Sequence, residues 1–280
     1  MSAPTEQLDV HGTELERLWS VTTLLNAALG AGPGLVYWHA EQTAIAAVDK
    51  RQTLDAMLSE GTREDAIKWL IDQRWSATER AKQRGTEVHR AAEAIALGAP
   101  TPLIEPELQR EIAPYVEQLV RWLKTWSPKF VLAEAPVYNL TYRYAGTCDG
   151  IFELGGRTYL FDYKTTPKGP DAKSRPPYPE TSLQLAAYAH AEMVGVLAQQ
   201  RYTDRQERYY LVDPTIEQKP MPTIDGALAI IVSPFDCFAV PVSVGEIPWA
   251  SFRHALELAK WNEQLSRQAF GPALITRAET

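Results

Sequence analysis

The arrangement of apolar and polar positions divides the chain in two. Through the first hundred residues it reads as helical, with segments predicted at 20–29, 34–50, 51–60, 62–75 and 76–97. Ser76-Ala77-Thr78-Glu79 has the form of a capping box, in which a serine hydroxyl and a glutamate satisfy the orphan amides of a helix start, and Gly98-Ala99-Pro100 ends that helix. A further helix is predicted at 107–126. Ser127-Pro128 then marks a change to strands at 130–140, 144–154 and 157–164, where the apolar period drops to two. Gly155-Gly156 between the last two strands is a hairpin signal. A helix at 181–199, strands at 207–212, 227–233 and 235–242, and a closing helix at 248–268 complete the reading. The class this predicts is α/β: a central mixed β-sheet flanked by helices, with an N-terminal helical lobe over 1–75 and a core over 76–280.

Composition narrows the function classes. A chain of 280 residues with 45% hydrophobic content can bury a substantial core. The opening residues carry no apolar segment of signal-peptide type, and no apolar run approaches the length that crosses a bilayer, so the expectation is a cytoplasmic protein with no membrane partner. The two cysteines, Cys148 and Cys237, are too few and too far apart for a disulfide scaffold or an iron–sulfur cluster, and both are read as buried small hydrophobes. A formal charge of −7 argues against nonspecific coating of nucleic acid, while leaving room for a local basic groove. Two stretches have a local basic excess: Arg74, Arg80, Lys82, Arg84 and Arg90 in the first, and Lys164, Lys168, Lys173 and Arg175 in the second. Ordinary solvated faces would show the same pattern.

The chemistry concentrates around the predicted hairpin. Asp162 and Lys164 share one face of their strand while Phe161 and Tyr163 turn to the other, and the hairpin lays Asp149 near Asp162 if the register allows. Two carboxylates and an ammonium converging in this way are what metal-dependent cleavage of a phosphodiester needs. His89 has Gly85 at i−4, a small neighbour that leaves room beside the imidazole. Gln184 and Tyr188, also four apart, project together from the helix that follows the Asp162 strand. Cys148 alternates away from Asp149 into packing.

In chain order, the segment 85–89, the strand glutamate Glu134, Gly146-Thr147-Cys148-Asp149-Gly150, Asp162-Tyr163-Lys164 and the segment 184–188 resemble the PD-(D/E)XK nuclease superfamily, specifically its RecB-like exonuclease branch of phage-encoded and CRISPR-adaptation enzymes. The segment 19–24 with Tyr37-Trp38 is similar to the N-terminal lobe of phage members. The resemblance implies a restriction-endonuclease-like core. It further implies a divalent-metal-dependent deoxyribonuclease, an exonuclease acting in phage DNA recombination or replication in a host cytoplasm. An endonuclease of the same fold and a noncatalytic DNA-binding or assembly protein are the alternatives. The implied cofactor is Mg2+, with Mn2+ able to substitute because imidazole suits later metals, and no iron–sulfur cluster. The implied ligands are His89, Asp149, Asp162 and the backbone carbonyl of Tyr163. Asp149, Asp162 and Lys164 would be catalytic, while Gln184, Tyr188 and Glu134 would support the site or contact DNA. The partners implied are DNA and a single-strand annealing protein.

Overall fold

The computed structural model describes residues 16–30, 33–100, 102–169, 177–195, 200–202, 209–212, 219–262 and 266–271. Its centre is a mixed ten-stranded sheet with helices on both faces, so the chain is α/β. The strands are β1 (Glu16–Ser20), β2 (Lys129–Asn139), β3 (Tyr144–Leu154), β4 (Arg157–Thr165), β5 (Met193–Val194), β6 (Gln200–Tyr202), β7 (Tyr209–Val212), β8 (Lys219–Pro220), β9 (Gly226–Val232) and β10 (Cys237–Val242). The helices are α1 (Val21–Leu29), α2 (Pro33–Asp49), α3 (Arg51–Glu60), α4 (Arg63–Leu97), α5 (Pro106–Trp126), α6 (Glu180–Ala189) and α7 (Glu246–Lys260).

Strand alternation sorts the core into two layers. On β4, Leu160 joins a cluster with α1, α6 and α7, built around Leu24, Leu185, Trp249 and Phe252. Phe161 and Tyr163 join the opposite cluster, with Val88 of α4 and Ile112, Leu119 and Trp122 of α5. The N-terminal α2 and α3 lie against α4 and bury little: Ala46 and Ala66 are covered there, while Val36, Tyr37, Val48, Ile71 and Trp75 remain exposed.

The strand pairing contains a fork. One edge of β3 is paired with β2 along its length. The other edge is shared, with parallel β1 meeting Tyr144 and Ala145, and antiparallel β4 meeting residues 150–154. Residues 146–149 of β3 fall between these two partners. Pairing of β4 with β3 stops at Phe161↔Gly150, and Asp162 to Thr165 continue against β9 alone.

Several predicted boundaries change. The two helices expected at 62–75 and 76–97 are one 35-residue helix, α4. Thr62 caps its start, its hydroxyl accepting from the Asp65 amide at 3.1 Å, and left-handed Gly98 closes its end. Ser76 caps nothing: with no helix breaker beside it, its hydroxyl donates to the Asp72 carbonyl at 3.2 Å, the usual resort of a serine within a helix. The expected division at residue 75 therefore falls in mid-helix. Residues 16–29, expected in the lobe, instead supply β1 to the sheet and α1 to the core beside α7.

The helix expected at 181–199 stops at Ala189, because the next turn is drawn onto β2. The Asn139 amide donates to the His190 carbonyl, the Glu192 carboxylate accepts from the Leu140 amide, and Met193-Val194 pair with Tyr138 and Val137. In the closing helix the regular α-helical stretch runs from Glu246 to Lys260, and Trp261 and Asn262 continue it in a wider π-turn. The first residues of the strand expected at 207–212 lie outside the described ones. Among the described residues no helix is long and apolar enough to cross a membrane.

Phe252 is fully buried, edge-on to Tyr144 and stacked on Trp249. Phe252→Ala should destabilise the protein by about 3–5 kcal/mol, read as a lower urea midpoint at unchanged slope.

Candidate metal centre

The fork creates an unpaired amide inside the protein. Where β4 leaves β3, the Tyr163 N–H has no strand partner on that side, and the Asp149 carboxylate accepts it at 2.6 Å. A buried amide without an acceptor would cost about 1–3 kcal/mol, so this bond both joins the diverging strands and fixes the carboxylate. Asp149 is delivered from β3 on the α4 side, its neighbour Cys148 being buried in the opposite cluster with its thiol pushed far up by burial. The other Asp149 oxygen lies 3.3 Å from His89 Nδ1.

His89 projects from the last turns of α4, its ring edge-on to Tyr163. Gly85 is less constrained than the sequence suggests: a Cβ there would meet Thr165 Oγ1 at an ordinary 3.6 Å and nothing of the imidazole, so the room beside His89 does not depend on this glycine. Glu134 is the third member of the cluster. Ligand atoms of His89, Glu134 and Asp149 lie within 4.8 Å of one another. Glu134 reaches this position from an irregular stretch of β2, which gains an extra residue at Val131 and puts Glu134 itself at φ 46°. That left-handed conformation costs a non-glycine residue about 1–2 kcal/mol.

Asp162 is nearly buried and outside that triad. Its Oδ2 sits 2.6 Å from Lys164 Nζ. The approach is off the line of a good hydrogen bond, and Oδ2 has no hydrogen-bonded partner. Lys164 also donates to Gln184 Oε1 at 3.4 Å, and Gln184 Nε2 donates to the Tyr188 hydroxyl at 3.3 Å. The Tyr188 ring lies over Gly146: a Cβ there would fall 2.5 Å from the ring, so only glycine lets α6 settle this close to β3. Gly146 is thus part of the site's framework, legible only as a glycine inside a strand.

The electrostatics reflect crowded acids. Burial disfavours the charged imidazole, yet Asp149 and Asp162 together raise His89 to about 9. Burial works against ionisation of Asp149, but His89 beside it holds its carboxyl below the usual range. Burial, with the charge of Asp149 added, pushes Asp162 up to about 6 and Glu134 up to about 7. Three crowded carboxylates, one of them paired with Lys164, together with an imidazole within reach, form a donor set of O and N atoms suited to a hard divalent cation.

The two basic stretches resolve differently. Arg80 and Arg84 are bound by Glu107 and Glu111 of α5, and Arg90 by Glu87, so much of the first is neutralised. Lys168 is exposed, while Lys173 and Arg175 lie outside the described residues.

No family model matches the sequence, and no curated protein matches it significantly. Among solved structures, the crystal structure of SSO0001 aligns at 10% identity over 88% of this chain and 75% of that one, with a TM-score of 0.33.

Two outcomes follow from this geometry. In chelator, Glu134→Asn should raise stability by about 1 kcal/mol, because asparagine tolerates the left-handed backbone and removes a charge facing Asp149, while divalent-cation affinity measured by calorimetry falls. Since the folded pKa of His89 lies above its ordinary 6.5, its contribution is full below pH 6.5 and lost as pH rises through about 9. The stability difference between wild type and His89→Gln in chelator should shrink across that window, and a flat difference would contradict it.

Proposed function

We propose that this chain is a divalent-metal-dependent deoxyribonuclease with a restriction-endonuclease-like core, of the RecB-like exonuclease type. The observation that carries the reading is the convergence at the fork of His89, Glu134 and Asp149 beside the Asp162–Lys164 pair.

His89, Asp149 and Asp162 would hold a magnesium or manganese ion, with the Tyr163 carbonyl and Glu134 as further oxygen donors. When bound, such an ion neutralises phosphate charge and makes water a stronger nucleophile. The chain's own residues supply the rest. Asp149 is kept ionised by His89 and oriented by the Tyr163 amide, so its carboxylate is fixed in the charged form that a ligand requires. Lys164, held between Asp162 and Gln184, is placed to orient the attacking water and to balance charge on the nonbridging oxygens. Were Asp162 to hold a cation, Gln184 would remain as the partner that keeps the ammonium in the site. Gln184, steadied by the buried Tyr188 hydroxyl, offers an uncharged group that positions a phosphate without reading bases, so sequence preference should be low.

The test is incubation with end-labelled linear and covalently closed DNA, with magnesium and with chelator. Release of nucleotides from linear DNA alone, abolished by chelator and by Asp162→Ala or Lys164→Ala without loss of folding, is the expected result. Cutting of the closed circle would indicate an endonuclease, and no cutting of either would overturn the reading.

A further inference from the structure

The face of α4 that carries His89 does not end at the candidate metal centre. At 3.6 residues per turn, Gly85, Lys82, Thr78 and Trp75 lie within about 40° of His89 around the helix axis, forming a stripe that runs out past β4. Gly85 closes against Thr165 at the end of β4, so the stripe is low where it leaves the sheet. Beyond that point its character changes. Lys82 is exposed and has no ion-pair partner among the described residues, in contrast to Arg80 and Arg84, which point toward α5 and are bound there.

At the outer end is an aromatic group built from two helices. His39 of α2 lies between Trp38 and Trp75, at ring separations of 5.5 and 5.9 Å, and its Nε2 contacts Thr78 Oγ1 at 3.3 Å. The Arg74 guanidinium sits 4.9 Å from the centre of the Trp75 ring, also without an ion-pair partner among the described residues. Trp75 nevertheless remains 51% exposed. A tryptophan flanked by the His39 ring and the Arg74 guanidinium, but half open to solvent, is a surface on which a flat heterocycle stacks. A free lysine between that ring and the cation ligand is where a phosphate would sit.

We propose that this stripe of α4 is a track for single-stranded DNA, with Trp75 stacking a base and Lys82 contacting the backbone of the strand whose end lies at the fork. The inference rests on the nuclease reading and deepens it by naming the form of the substrate. Trp75 stands fourteen residues before His89, about 21 Å along the helix. At about 3.4 Å per stacked nucleotide that distance corresponds to about six nucleotides.

The experiment measures binding in chelator, so that no cleavage occurs, of labelled thymidine oligonucleotides, of blunt duplex, and of duplexes with single-strand tails shorter and longer than about six nucleotides. Trp75→Ala should weaken binding of the oligonucleotide by about five- to a hundredfold, the usual worth of one stacked base, and Trp75→Phe should restore most of it. Lys82→Ala should lower affinity and reduce the salt slope by about 0.7. The losses should be confined to tails longer than about six nucleotides and absent on blunt duplex, with circular dichroism melts unchanged. Equal binding by Trp75→Ala and wild type, as expected if the exposed rings dock another protein, would overturn the track, and so would an equal loss on blunt duplex. A wild-type protein that cleaves linear DNA while Trp75→Ala binds single strands normally sinks the track alone. A wild-type protein that neither binds nor cleaves DNA sinks the nuclease reading with it.

Discussion

The site depends on one hydrogen bond, from the Tyr163 amide to the Asp149 carboxylate. It is required because the sheet asks two things of β3 at once: to pair with β1 near Tyr144 and with β4 after Gly150. Both partners lie on the same edge, so β4 must swing away, and its swing leaves a buried donor. Water cannot reach such a position freely, and a backbone amide left unsatisfied there would destabilise the fold. A carboxylate from the opposing strand bridges the opening. The same group is thereby held ionised and immobile, which is the state a cation ligand needs.

The helices that flank the sheet complete this arrangement by means that have little to do with chemistry. On one side, α4 is pinned to α5 by Arg80 and Arg84 with Glu107 and Glu111, and by burial of Val88 among Leu119 and Trp122. The half-exposed Arg80 pairs contribute little each and the Arg84–Glu111 pair is more shielded, so the apolar contact does most of the fastening and the charges set its register. The result is that His89 meets Asp149. On the other side, α6 can approach β3 because Gly146 offers no side chain to the Tyr188 ring, and this brings Gln184 to Lys164. The polar network of the site thus runs through five elements, α4, β2, β3, β4 and α6.

Glu134 shows how strain enters. A glutamate has no preference for left-handed backbone, and the extra residue in β2 that twists it there also lets its carboxylate turn toward His89 and Asp149. Burial first, and then the like charges this assembles, drive the proton affinities of Glu134 and Asp162 upward. Backbone strain and carboxylate repulsion at one spot are tolerated only where the structure over-determines them, and such spots concentrate at working sites.

Local patterning determined a good deal. The strands at 130–140, 144–154 and 157–164 and the hairpin at Gly155-Gly156 were legible because apolar alternation and turn glycines act over a few residues. The same alternation placed Asp162 and Lys164 together. What the sequence could not show were effects that arise only when distant segments meet. A serine–glutamate pair looked like a helix start at 76, but no breaker interrupted α4 there. The strand β1 was invisible because it is five residues long and both of its partners, β3 and β7, lie more than a hundred residues away in the chain. The fork, the left-handed turn of Glu134 toward the cluster, the ion pairs that consume the basic excess on α4, and the fit of Tyr188 over Gly146 were decided by tertiary structure. Each is a competition for one partner between groups far apart in the chain, and such a competition has no local signature.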